Sequence, residues 1–270
     1  MDFNRQVIEE FRANAGRVGG PFEGGRLILL TTTGARTGAR HTNPVAYLPD
    51  GDRIVVIASA AGAPRHPDWF HNLVATPRVT VEDGVFTYEA EATVLTGAER
   101  EELWARAVES DPGWAAYQAR TTRRIPVVAL KQVSGGPPNA SGWGAALKLV
   151  HDAFRRELAT IRREVAAAGP VLGAQLKVNC LTACQGLRFH HTAEDTGTFP
   201  ALRERFPDLA PTLDRLGEEH ERIAALLDRL RQTLDRGDAG TLRADVDELI
   251  DELEAHLSAE EEQLIPFLDA

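Results

Sequence analysis

Cysteine is nearly absent: Cys180 and Cys184 are the two in 270 residues. That excludes a disulfide-stapled scaffold and fits a reducing compartment. Long hydrophobic runs are missing as well. No stretch of about 18 uninterrupted apolar residues occurs, so nothing reads as a membrane span. The opening residues, MDFNRQVIEEFRANAG, carry acids where a secretory signal needs a basic stretch followed by an apolar one. A cytoplasmic location is therefore expected. Positive charge is not in excess either, with 30 Lys and Arg against 40 Asp and Glu, a net of −10. Nucleic-acid binding needs concentrated basic charge, which neither half supplies. What is present is a globular composition, 43% hydrophobic and 26% charged, which rules out disorder and fibrous structure. At about 150 residues per domain, this length gives a little under two domains.

The charge divides the chain. Residues 1–132 hold 15 Lys and Arg against 16 Asp and Glu, whereas residues 133–270 hold 15 against 24, so the halves carry −1 and −9. Five of the eight histidines lie in the acidic half. In the first half, RLILLTTT (26–33), residues 42–48, RIVVIASA (53–60), VTV (79–81), VFTYEAEATVL (85–95) and IPVVAL (125–130) read as strands. Turn signals separate them, including Pro49-Asp50-Gly51-Asp52 and Asp83-Gly84. A helix is expected from Thr96 to Ser110, opened by a capping box Thr96-x-x-Glu99. About six strands at hairpin spacing argue for an antiparallel barrel over a doubly wound sheet.

Residues 133–142 (VSGGPPNASG) read as a linker, and the remainder reads as helical. Four helices are expected over 143–168, 171–196, 211–236 and 241–266, with Gly197 stopping the second and 198–210 a longer connection. Apolar residues recur every three or four, as at Leu213, Leu216, Ile223, Leu226, Leu227 and Leu230. The fold class is thus α+β in two domains, 1–132 a barrel and 143–270 an up-down four-helix bundle.

Each expected bundle helix carries a histidine: His151, His190, His220 and His256. Two have an acid four residues on, Glu194 and Glu260. Four residues is about 6 Å of rise and some 40° of rotation, so both side chains reach one point. Imidazole with carboxylate in a bundle core is the ligand set for iron or manganese, while structural zinc would call for thiolates. Two carboxylates can bridge two metals and four imidazoles can terminate them. A lone histidine on an amphipathic helix is usually a surface or capping residue, but four helices supplying one each, with two spaced acids, form a different pattern. His191, with Asp195 four residues on, offers the same spacing one residue out of register. Cys180 and Cys184, one turn apart, read as packing residues, with a metal or a strained disulfide as the alternatives.

The stretches LVHDAFRREL, GLRFHHTAEDTGTFPAL, LGEEHERIAALL and LEAHLSAEEEQLIP resemble the hemerythrin-like (HHE cation-binding) domain and cover most of 143–270. The resemblance implies two iron ions held by the six residues named above, at a site that binds or senses oxygen. One further histidine that invertebrate hemerythrins carry on the third helix is Ala224 here.

In the barrel half, TTTGARTGARH (31–41) places two glycines, four hydroxyls and two arginines just after a strand, suited to a phosphate or carboxylate. It is not a Walker loop, and no Gly-x-Gly-x-x-Gly follows a strand. A second loop, ASAAGAPRHPDWFHNL (58–73), has residues small enough for a planar ring to approach its backbone. With the VTVEDG hairpin and GWAAYQARTTRRIPVVAL, these pieces resemble the deazaflavin-dependent nitroreductases, or F420H2-dependent quinone reductases, over nearly all of 4–131. The resemblance implies a split β-barrel related to flavin reductases, which often dimerises. It also implies coenzyme F420, with FMN as the alternative, and a small-molecule acceptor such as a quinone or nitroaromatic. Carried over, Arg36, Thr37 and Gly38 hold the phosphate, while Ser59, Ala60, Ala61, Gly62 and Trp69 meet the ring. Tyr117, beside Trp114, faces the acceptor as a hydrogen-bond donor. Two positions often basic in the first motif are Ala39 and His41 here, with Arg40 between them. The expected activity is hydride transfer from the reduced cofactor. The alternative is an oxygen- or redox-sensing protein whose barrel binds the cofactor without turnover.

Overall fold

The structure, a computed structural model, describes residues 3–270. Its contacts divide the chain into two compact units, one running to Asn139 and including Gly173–Asn179, the other comprising Ala140–Leu172 and Cys180–Ala270. Among the described residues no helix is long and apolar enough to cross a membrane.

The first unit opens with helix α1 (Phe3–Ala13), followed by strands β1 (Leu27–Thr33), β2 (Arg40–Asp50) and β3 (Arg53–Ile57). Helix α2 (Asp68–Ala75) precedes β4 (Arg78–Glu82) and β5 (Thr87–Val94), then come α3 (Gly97–Ser110), α4 (Gly113–Ala119) and β6 (Val127–Ser134). The strands close into a barrel in the order β1-β2-β3-β6-β5-β4, every pairing antiparallel. Closure leaves no strand edge open to another chain.

Successive side chains point to opposite faces, and both faces are covered, so β1 and β3 carry unbroken apolar runs at 27–30 and 54–57. Ile28 and Leu30 point into the barrel with Val45, Val56, Val79, Val81, Val128 and Leu130. Leu27 and Leu29 point outward, where Val7 and Phe11 of α1 cover them. Val55, Val127 and Ala129 likewise face out, under Leu103 of α3. Thr96 stands at the N-cap of α3 as expected, but its side chain makes no capping hydrogen bond. The segment read as a linker is partly structured: β6 runs to Ser134, and the Asn139 amide donates to the Val85 carbonyl at 2.7 Å.

The second unit contains α5 (Trp143–Ala167), α6 (Ala174–Ala193, whose first residues group with the barrel), α7 (Phe199–Arg205), α8 (Ala210–Arg236) and α9 (Ala239–Leu268). Helix α9 packs along both α5 and α8. The apolar stripe of α8 is buried at Leu213, Leu216, Ile223, Leu227 and Leu230, and His220 falls on that same stripe. Gly197 does not stop the second helix. Residues Glu194–Thr198 form a π turn that runs directly into α7, so most of the expected connection is helical. A glycine ends a helix where it turns left-handed, as Gly237 does at φ +70° after α8; Gly197 is not among the glycines with positive φ. The wide turn also accommodates Pro200, which has no N–H to give. Cys180 and Cys184 are both buried and form no disulfide, and burial pushes the Cys184 thiol up to about 11.

Because both faces of β1 are covered, Leu29→Ala and Leu30→Ala are each expected to cost about 2–5 kcal/mol in urea unfolding. A small loss for Leu29→Ala would contradict the packing of α1 on the barrel wall.

Candidate functional site

Seven ligand-type side chains converge in the bundle, and they sort into two groups. Ligand atoms of His151, His190, Glu194 and Glu260 all lie within 4.8 Å of one another, and so do those of His191, His220 and His256. The two carboxylates span the groups. Glu194 places Oε1 3.3 Å from His190 Nε2 and Oε2 3.7 Å from His220 Nε2. Glu260 places Oε2 3.4 Å from His151 Nε2 and 3.7 Å from His256 Nε2. The π turn beginning at Glu194 lies at the centre of this arrangement, where such turns often mark functional sites.

Three histidines are oriented from outside the cluster. The Nδ1 atoms of His151, His220 and His256 pair with Glu261 at 3.0 Å, Asp195 at 2.7 Å and Glu219 at 2.9 Å. A carboxylate can only accept, so Nδ1 carries the hydrogen and the Nε2 lone pair turns inward. Arg155 donates to Glu261 at 2.6 Å and holds that carboxylate in place. The consequence is sharpest at His220 and His256, whose Nε2 atoms face each other at 3.1 Å. Two lone pairs at that distance repel unless a cation lies between them.

Burial removes the other ways of satisfying these groups. Glu194 is 4% exposed and Glu260 0%, and all four of their carboxylate oxygens are buried without a hydrogen-bond partner. Phe154 and Phe199 lie over His190 and His220 with ring centroids 5.3 Å away. Burial, then the neighbouring His151, pushes His190 down to about 3, and burial, then His220, pushes His191 down to about 2. Burial lowers His256 as well. These rings are therefore neutral near pH 7, the form that coordinates a metal. Burial and then the facing Glu260 raise Glu194 far above the carboxylate range. Burial opposes charge on Glu260 too, yet His151, with His256 and His190, holds it below its ordinary value. Buried oxygens without partners, converging lone pairs and neutral imidazoles fit a pair of metal cations.

All six sequence-predicted metal ligands are brought together. His190 and His191 fall in different groups. Sequence reasoning missed Asp195, Glu219 and Glu261 as orienting residues; the available signal was that each adjoins a ligand in the chain.

The barrel site is built on two loops. The Gly34–Gly38 turn is closed by Gly34 N–H to the Ala39 carbonyl at 2.7 Å and Gly38 N–H to the Gly34 carbonyl at 2.8 Å. Arg36, Thr37 and Gly38 are exposed. Buried Asn72 of α2 pins the turn, accepting from Ala35 N–H at 3.0 Å and donating to Thr32 Oγ1 at 3.1 Å. Arg40 donates to Thr80 Oγ1 on β4 and is engaged there.

The second loop is strained. Ala60 and Ala61 have φ of +46° and +52°, the left-handed region that costs an alanine about 1 kcal/mol or more. Gly62 must be glycine, since a Cβ there would sit 2.7 Å from the Tyr117 carbonyl of α4. Arg123 holds the loop in this shape, donating to the carbonyls of Ala58, Ser59 and Ala63 at 3.1, 2.5 and 2.8 Å, and lying 2.9 Å from His66 Nδ1. The structure thus brings Ser59–Gly62 and Tyr117 together. Tyr117 is half-buried and packs edge-on against Trp114. Trp69, expected to meet the ring, lies in the barrel interior at 8% exposure beside Leu73. Asn72 and Arg123 were not legible in the sequence, because their partners are 37 to 65 residues away.

Residues 3–132 match the family model described as F420H(2)-dependent quinone reductase, and residues 145–268 match that of the hemerythrin HHE cation binding domain. Over 124 residues the chain is 37% identical to an F420H(2)-dependent quinone reductase of Mycobacterium tuberculosis strain H37Rv, covering 44% of this chain and 83% of that protein. A solved structure described as an F420-H2 dependent reductase is 38% identical over 39% of this chain and 94% of its own, with a TM-score of 0.37.

Arg123→Ala is expected to destabilise the barrel by about 1–3 kcal/mol through the lost charge-assisted bonds and to speed hydrogen exchange around residues 58–63. Unchanged exchange in that loop would contradict the clamp.

Proposed function

Because the chain belongs to the F420H(2)-dependent quinone reductase family through residues 3–132 and carries a hemerythrin HHE domain in residues 145–268, we propose that it oxidises reduced coenzyme F420 with an electron-poor acceptor and holds two irons in its bundle. The acceptor class is a quinone, a nitroaromatic or a similar small molecule, and the iron pair binds or senses oxygen. The observation that carries the metal half of this reading is that Glu194 and Glu260 each reach one histidine of both groups.

When bound, reduced F420 supplies the hydride and iron the one-electron and oxygen chemistry. The protein's part is to bind, orient and exclude water. Arg36 brings a fixed positive charge to the exposed 34–38 turn, the Thr37 hydroxyl adds a donor, and Gly38, with open space where a side chain would stand, lets a phosphate approach. The Ser59–Gly62 turn offers a planar ring a stretch of backbone with no side chain larger than serine. The Tyr117 hydroxyl, which makes no hydrogen bond among the described residues, donates to the acceptor oxygen. In the bundle, His151, His190, His220 and His256 would supply nitrogen donors and Glu194 and Glu260 oxygen donors to the metals, while Phe154 and Phe199 would keep the centre dry.

A second reading, cofactor binding without turnover and with FMN as an alternative ligand, is favoured by the engaged Arg40 and by Ala39 and His41 beside it. Anaerobic oxidation of reduced F420 by menadione separates the two: turnover supports the reductase, and tight binding without turnover supports the second reading.

Arg36→Ala is expected to weaken F420 binding by roughly 1.5–3 kcal/mol, about 10- to 150-fold in Kd, read by fluorescence titration. Unchanged affinity would remove Arg36 from the phosphate site. Replacing Glu260 by Ala is expected to lower iron content in elemental analysis, and wild-type iron content in that variant would contradict the spanning role.

A further inference from the structure

The two-metal reading leaves one buried imidazole without a task. His191 is 5% exposed, and its Nε2 is buried with no hydrogen-bond partner. Its ring stacks on His220, with centroids 4.2 Å apart and planes 11° from parallel, and meets His256 edge-on at 5.3 Å. One of its nitrogens lies within 4.8 Å of ligand atoms of both neighbours. A histidine kept for packing would turn that nitrogen toward a carbonyl or a hydroxyl, because a buried donor or acceptor left unpaired is expensive. Three imidazole nitrogens closing on one point make a cation site.

The helix geometry shows why this residue is available. On α8, the residue one turn after His220 is Ala224, so that helix offers a single imidazole. On α6, His190 and His191 are consecutive and so diverge by about 100° around the axis. His190 turns to His151, with Nε2 atoms 3.1 Å apart, while His191 turns to His220 and His256.

We propose that His191 is the third imidazole of the metal position formed by His220 and His256, standing where α8 has no second ligand to give. The proposal rests on the two-metal reading above. It makes the two positions unequal. His191, His220 and His256 terminate one, His151 and His190 terminate the other, and Glu194 and Glu260 reach both.

The test uses the full chain, loaded anaerobically with ferrous iron and then oxidised, with iron per chain and Mössbauer spectra as readouts. Wild type should bind two irons in two distinguishable environments. His191→Phe keeps an aromatic ring in the stack but removes the nitrogen, and it should bind one of the two irons at least about tenfold more weakly and lose one spectral component. His191→Ala should behave likewise and recover both on addition of imidazole, but not of toluene, which fills the same space without a donor. Two irons and an unchanged spectrum in His191→Phe would overturn the assignment. Where His191→Phe does not fold, failure of imidazole to restore His191→Ala overturns it equally. Fewer than two irons in wild type would instead overturn the two-metal reading on which it stands.

Discussion

Two carboxylates stand in the middle of a helical bundle with no hydrogen-bond donor to any of their four oxygens. Burying a charge in this way costs several kcal/mol unless something offsets it. Protonation relieves only part of that cost. The imidazoles around Glu194 and Glu260 are themselves held neutral by burial at His190, His191 and His256, so they bring lone pairs rather than positive charge. A set of neutral imidazoles and buried carboxylates is one that a metal cation fits, and the histidines, the outer carboxylates and the π turn converge on one place. Asp195, Glu219 and Glu261 fix which nitrogen of three rings faces inward, the usual way a protein orients metal ligands from behind.

The barrel solves a different problem. Its wall is covered by helices outside and filled with aliphatic side chains inside, so the chemistry is left to loops. One loop is tied down by Asn72, the other by Arg123, and the second is held in a conformation its alanines disfavour. Strain of that kind persists only where the surroundings over-determine it, and it is concentrated where the chain must present backbone rather than side chain.

Much of this was legible in the sequence because it depends on short periods. The strands follow hairpin spacing, and the His–x–x–x–Glu pairs lie one turn apart, so both the barrel and the histidine–glutamate cluster emerge from counting. The failures have physical reasons. Gly197 reads as a stop because glycine often ends a helix, but nothing local signals that it stays in a π turn and carries the helix into α7. His190 and His191 read as rivals when one ligand per helix is assumed, and only the three-dimensional placement of His220 and His256 shows that both face the cluster. Arg123 is invisible to spacing, since its four partners come from a loop some 60 residues earlier.

If the buried carboxylates are built around two cations, thermal unfolding of the full chain, stripped of metal and then titrated anaerobically with ferrous iron, should respond to the metal. Selective binding to the folded state raises the melting temperature with metal concentration. The transition of metal-free chains is expected to give way to a higher one and to vanish at two equivalents of iron. A transition that does not move with iron, or a metal-free transition that vanishes at one equivalent, would contradict two cations in the bundle.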